Sequence, residues 1–207
     1  GRGEESQVRL DYAGALAILE DDRGADILRV GGALGVLDED PDRDEVMFDH
    51  QLVQEYFAAR HLAAAPRPEL ARTPWLAAEV RPSVQDVIRS LSPADPLPPM
   101  ETTGWEETTV LASAMSGDPS VMVRGLMATN LALAGRCALQ PAVGERLGEA
   151  LLDELRGALA QRSRCPAADV RDRISCGTLV GRLGDPRFER HRGPGGEYLL
   201  GPLVDIP

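Results

Sequence analysis

The residue types that most often carry catalysis or bind metal ions are sparse in this sequence, and their spacing is unfavourable. There are three histidines, His50, His61 and His191, and three cysteines that form no C-x-x-C pair. On one helix, His50 and His61 would lie about 16 Å apart along the axis, which is too far for one metal ion. No histidine has a neighbouring nucleophile for which it could act as a base. We therefore expect no catalytic residue and no metal site.

The sequence also lacks the motifs that bind phosphate groups. The chain contains no lysine, so it can form neither a P-loop lysine nor a Schiff base. The glycine-rich run at residues 31–35 lacks the G-x-G-x-x-G spacing and the preceding strand of a dinucleotide-binding turn. We expect that this chain binds no cofactor by itself and is not an enzyme.

The net charge of −11 disfavours binding to nucleic acid or to an anionic membrane. No apolar run reaches transmembrane length, the first residues lack a signal peptide, and the cysteines suggest no disulfide framework. These features predict a cytoplasmic protein. The stretch 156–192 is locally basic, which fits either solvated helix faces or a docking surface for an acidic partner. The candidate interaction residues are Arg162, Arg164, Arg171, Arg173 and Arg182.

The first third of the sequence has the pattern of a small winged-helix unit. Apolar residues at helical spacing predict two helices, and two short apolar runs around an acidic turn with Pro41 predict a hairpin. A third helix follows, which Asp49 can cap. The predicted elements are helices over 8–20, 25–36 and 50–64, with strands near 36–37 and 46–48.

The remaining sequence is predicted to be helical. Asp118-Pro119 is a helix start, and the helix that it opens is apolar on most sides as far as about Leu139. Further helices are predicted over 143–161 and from Pro166 to Leu183, with one strand at 198–200. Helices that pair and stack in this way are typical of an irregular α-solenoid with HEAT-like helix pairs.

The predicted fold is therefore mostly α, with a winged-helix unit and a short β-hairpin followed by the solenoid. We divide the chain into a winged-helix-like segment, a proline-rich helical connector, a HEAT-like helical domain and a Gly/Pro-rich exit linker. Their boundaries are 1–64, 65–103, 104–184 and 185–207.

One segment resembles a known family. Residues 48–59, F-D-H-Q-L-V-Q-E-Y-F-A-A, resemble the F-x-H-x-x-x-Q-E-Y/F-F-A-A stretch that closes the winged-helix domain of NACHT-type STAND NTPases. Trp105-Glu106-Glu107-Thr108 is similar to the W-x-E-x stretch that follows in such proteins. The resemblance implies that His50 acts as a nucleotide-phosphate sensor in the parent protein only, approaching the β-phosphate of ADP bound by a nucleotide-binding domain upstream.

A second resemblance lies at the end of the chain. L-G-D-P-R at 183–187 and the final V-D-I-P look like the connector that precedes a formylglycine-generating-enzyme-like module with a C-type-lectin fold. Together the two resemblances imply a non-catalytic regulatory and scaffold region of a bacterial NACHT protein, coupling nucleotide state to a downstream recognition or effector module. Its partners would be other domains of the same polypeptide. The alternative is a stand-alone helical module that binds a protein partner.

Overall fold

The computed structural model describes residues 9–19, 22–40 and 43–201, which form a mostly α-helical chain with two small antiparallel sheets. The predicted fold class is thereby confirmed. The chain divides into two units, residues 1–58 and 59–207, which we call unit 1 and unit 2. The predicted turn at Pro41 and the final V-D-I-P lie outside the described residues.

Unit 1 is built from two helices and a three-stranded sheet with the order β1–β3–β2, and it ends within a third helix. Its elements are β1 (Arg9–Asp11), α1 (Tyr12–Leu19), α2 (Gly24–Ala33), β2 (Leu37–Asp40), β3 (Glu45–Phe48) and the first part of α3 (Gln51–Ala64). The predicted hairpin is β2–β3. Residues 9–11, predicted as helix, instead form a strand, because Leu10 pairs with Val46 across the sheet. Local apolar spacing does not reveal such a tertiary pairing.

Close packing between α2 and β2 depends on two glycines. Gly35 ends the helix with a φ of +64°, which lets the Val36 N–H donate to the Gly31 carbonyl at 3.0 Å. A Cβ on Gly31 would lie 2.6 Å from Cδ1 of Leu37. The glycines that weaken the helix pattern in the sequence therefore allow the chain to turn and pack on itself.

Unit 2 contains the remaining helices and a second hairpin. Its elements are a 3₁₀ helix (Pro68–Ala71), α4 (Val84–Ser90), α5 (Glu106–Met115), α6 (Pro119–Thr129), α7 (Leu131–Ala138), α8 (Pro141–Gly144), α9 (Glu149–Arg164), α10 (Val170–Leu183), β4 (Glu189–Gly193) and β5 (Gly196–Leu200). The helices pack both on their neighbours in the chain and on more distant ones: α6 contacts α5 and α7, and α10 contacts α7 and α9. The largest fully buried side chains include Met122, Leu126, Leu133, Leu155 and Leu159.

The long helix predicted from Pro119 to about Leu139 is wrong, because the chain breaks at Asn130. This residue leaves the helical conformation, with φ −155° and ψ 85°. Its Oδ1 accepts from the N–H of Leu133 at 3.0 Å and so caps α7. Its Nδ2 donates to the carbonyl of Ala71, also at 3.0 Å. The two bonds engage both ends of the amide and tie the break to the 3₁₀ helix.

Two other predicted elements differ in extent. The helix predicted over 143–161 is the short α8 followed by α9, with Gly148 as the N-cap of α9. The single strand predicted at 198–200 belongs to a hairpin in which His191 pairs with Tyr198. The strand β4, with the sequence E-R-H-R-G, has no apolar alternation that could have indicated it.

Candidate functional site

His50 lies between the end of β3 and the start of α3. Its side chain is 75% exposed, and Nε2 is 3.2 Å from Oδ2 of Asp49. The imidazole is therefore accessible to a group from outside unit 1. His61, near the end of the same helix, is also exposed.

The residues that follow His50 brace the beginning of α3. Gln51 donates from Nε2 to Oε1 of Glu55 at 2.8 Å, one helical turn away. Phe57 stacks on Phe48 of β3 with ring centroids 5.9 Å apart, and Tyr56 meets Phe57 edge-on. The segment 48–59, which resembles the NACHT motif, thus holds the helix against the hairpin that precedes it.

The segment 105–108, which is similar to the W-x-E-x stretch of NACHT-type proteins, has two glutamates with different roles. Glu106 accepts from the N–H groups of Thr103 and Gly104, at 2.8 and 3.0 Å, and so organises the chain entering α5. Glu107 forms an ion pair of 2.6 Å with Arg136 of α7. Both carboxylates are engaged in contacts within the helical domain.

The five candidate interaction arginines do not form one surface. Arg171 is buried, and its guanidinium makes two hydrogen bonds to Asp169, of 2.9 and 3.0 Å, with a third to the Pro82 carbonyl. Its hydrogen bonds lower the pKa of the Asp169 carboxyl below its usual value. Because its donors are directed into the domain, Arg171 is not available to a partner.

Arg162 and Arg173 are also bonded within unit 2. The guanidinium of Arg162 lies 3.5 Å from the ring centroid of Trp75 and pairs with Asp172 at 3.2 Å. Burial raises the pKa of Asp172, against the hydrogen bond from Arg162. Arg173 donates to the carbonyl of Ser163. The sequence alone does not distinguish these arginines from exposed ones, because the burial of an arginine depends on the tertiary packing around it.

Arg164 and Arg182 remain as exposed members of the set. Arg164 lines an open cavity of about 520 Å³ with Cys165 and Arg187. Arg187 is bonded to Asp185, in the L-G-D-P-R segment, through two guanidinium nitrogens. That these exposed arginines contact a partner stays a prediction.

Two of the cysteines are unsuited to nucleophilic chemistry. Burial raises the pKa of Cys137 to about 11, although the Ser113 hydroxyl donates to its sulfur. Burial, and then the charge of Asp172, raise the pKa of Cys176 to about 12. A thiol with such a pKa contains almost no thiolate at neutral pH.

A wide apolar groove in unit 1 was not anticipated from the sequence. It has a volume of about 610 Å³ and lies between α1, α2, the sheet and the first part of α3. Its lining includes Leu10, Ile18, Ile27, Val46, Phe48 and Phe57, and Gln54 is the one polar side chain among the described lining residues. Only Ala15, Leu28 and Val46 among the described residues of unit 1 are buried hydrophobics. The unit therefore leaves much of its apolar surface uncovered.

Within residues 9–19, 22–40 and 43–201, no three His, Cys, Asp or Glu side chains are grouped so that they could hold a metal ion. No helix in that part of the chain is both long and apolar enough to cross a membrane. No family model, curated protein or solved structure matches the chain.

Proposed function

We propose that this chain is a non-catalytic regulatory region of a bacterial NACHT-type STAND NTPase, coupling nucleotide state to a downstream recognition or effector module. The observation that carries the proposal is the position of the F-x-H-x-x-x-Q-E-Y-F-A-A sequence. It begins in the last strand of a strand–helix–helix–hairpin unit and continues into the helix that leaves that unit. The sequence resemblance and this local structure therefore agree.

His50 would be the nucleotide-sensing residue. Its side chain is exposed at the end of a strand, so a phosphate on an adjoining domain could reach it. An imidazole N–H donates to a phosphate oxygen, and protonation strengthens that bond. ATP or ADP would be bound by a separate domain of the same cytoplasmic polypeptide, because this chain has no lysine for a P-loop.

The helix α3 would connect the sensing residue to the helical region. It starts next to His50 in unit 1, and its later residues Ala59 and Leu62 belong to the buried core of unit 2. A displacement of the first turn of a continuous helix moves the whole helix, because its backbone hydrogen bonds resist local bending. Nucleotide state at one end could thus bias the packing at the other.

The test uses the natural full-length protein that contains this chain. His50→Ala should speed the release of bound ADP by about 10- to 100-fold, because a hydrogen bond to a charged group contributes roughly 1.5–3 kcal/mol. His61→Ala is the matched control, since His61 is also exposed and lies on the helix that begins next to His50. It should release ADP at the wild-type rate. Release measured with a fluorescent ADP analogue gives both rates.

Equal release from the wild type and the His50→Ala variant would contradict the sensing role. A natural protein without a nucleotide-binding domain would overturn the whole proposal. The stand-alone helical interaction module would then be the better account of this chain.

A further inference from the structure

The groove of unit 1 has the features of a binding surface for a helix. We propose that it binds a basic amphipathic α-helix from outside residues 1–207, which inserts its apolar face between α1, α2 and the sheet. The inference does not rest on the nucleotide-dependent function, because binding in the groove requires no nucleotide.

The shape and chemistry of the groove favour a helix over a small ligand. The groove is open, since Ile18 on its wall is 67% exposed, whereas small-ligand sites enclose most of the ligand surface. Small-ligand sites also carry several polar groups that orient the ligand, whereas Gln54 is the only polar side chain among the residues that the structure describes around this groove. An amphipathic helix needs only an apolar trough that accepts side chains at positions i, i+3, i+4 and i+7.

The charge of unit 1 indicates that the partner helix is positively charged. Residues 1–58 contain 15 acidic residues and five arginines, whereas residues 59–207 contain 18 acidic residues and 17 arginines. Almost all of the net negative charge therefore belongs to the unit that holds the groove. Glu39 is exposed and pairs across the sheet with Val46, which lines the groove, so its carboxylate is close to the bound position. A cationic helix is attracted to such a surface.

The same charge disfavours other occupants. A second copy of the chain would bring one strongly acidic unit against another, and like charges at an interface repel. An anionic lipid surface would be repelled for the same reason. Residues 1–8, G-R-G-E-E-S-Q-V, have one apolar side chain, too few to fill a groove of about 610 Å³.

The experiment measures binding of two synthetic helical peptides to the chain by fluorescence anisotropy. Each peptide has about 18 residues, with leucine at the apolar helical positions, and the remaining positions are arginine-rich in one peptide and glutamate-rich in the other. The arginine-rich peptide should bind at least about tenfold more tightly. Its affinity should fall as salt is raised, because ionic strength screens the attraction.

Two variants separate docking in the groove from general attraction to an acidic protein. Ile18→Glu places a charge in the groove, and Leu52→Glu places the same charge at an exposed position of α3 that does not line it. Ile18→Glu should weaken binding of the arginine-rich peptide by about tenfold, since a carboxylate cannot be buried there without a large penalty. Leu52→Glu should leave it within about twofold, or strengthen it slightly through the added charge.

Several outcomes would overturn the proposal. They are equal binding of both peptides, equal affinity of the wild type and Ile18→Glu, and tighter binding after Ile18→Glu, which indicates non-specific attraction. Sedimentation velocity adds a test of self-association. A dimer that Ile18→Glu dissociates would show that a second copy occupies the groove.

Discussion

The buried pair of Asp169 and Arg171 gives the sharpest stability prediction for the helical region. Asp169 is 1% exposed and Arg171 is 5% exposed. The Asp169 carboxylate accepts two hydrogen bonds from the guanidinium and one from the backbone N–H of Arg171, which caps α10. The guanidinium also donates to the Pro82 carbonyl, so the pair links α10 to the segment that precedes α4.

Replacing Asp169 by alanine should therefore destabilise the domain strongly. Removing one partner of a buried ion pair costs about 3–5 kcal/mol, because the remaining charge is left without compensation. Loss of the N-cap contributes about 1 kcal/mol within that total. We expect a loss of about 4 kcal/mol, which lowers the melting temperature of a domain of this size by roughly 10 °C. Urea unfolding followed by circular dichroism measures the free energy of unfolding directly.

The control is Asp153→Ala, which removes a carboxylate that also pairs with an arginine, Arg156, but is 72% exposed. Exposed pairs contribute about 0–1 kcal/mol, so this variant should unfold almost like the wild type. Equal and small losses for both variants would refute the argument that burial, rather than pairing, determines the energy.

The same pair predicts a pH dependence. The hydrogen bonds from Arg171 lower the pKa of Asp169 below its ordinary value of 3.8. A depressed carboxyl pKa in the folded state means that the stabilisation is present above pH 3.8 and is lost as the pH falls through the folded-state pKa. Asp169→Asn should therefore show a smaller loss of unfolding free energy on acidification than the wild type. An unchanged slope would contradict the assignment.

Two further perturbations test packing and thiol chemistry. Gly125→Ala should lower the free energy of unfolding by about 1–3 kcal/mol, because its Cβ would lie 2.5 Å from Cγ of Pro68. Gly157 lies in the middle of α9 with open space around it, so Gly157→Ala should raise the free energy of unfolding by about 0.5–1 kcal/mol. Thermal unfolding of both variants measures these changes in stability. Changes of the same sign for the two variants would contradict the close approach of Gly125 to Pro68. Ellman's reagent at pH 8 should modify the half-exposed Cys165 first, and should modify Cys137 only as fast as the domain opens, because burial raises its pKa to about 11. Equal rates for the two thiols would show that the fold does not protect Cys137.

The parts of the fold that depend on local sequence signals were predictable. The capping pair Asp118-Pro119 places the start of α6 correctly, since the Asp118 side chain accepts from the Ser120 N–H. The two apolar runs around an acidic turn likewise predicted the hairpin of unit 1. Each of these signals depends on residues that are near one another in the sequence, so the sequence alone contains the necessary information.

Elements that depend on distant partners were not predictable in the same way. Asn130 ends α6 because its side chain reaches Ala71, 59 residues away, and no local pattern indicates that bond. Strand β1 has an apolar spacing that also suits a helix, and pairing with β3 decides its structure. The distribution of the arginines follows the same rule, since Arg171 and Arg182 look equivalent in sequence while one is buried and the other exposed. The groove could not be predicted from the sequence either, because apolar residues are normally expected to be buried.

The measurement that tests the central proposal most directly is the intact mass, under denaturing conditions, of the natural protein that contains this sequence. The chain itself has a mass of 22.2 kDa. The proposal predicts a much larger polypeptide whose sequence includes a nucleotide-binding domain before Gly1. A natural protein of about 22.2 kDa would contradict the proposal, since no nucleotide-binding domain would then be present to signal through His50.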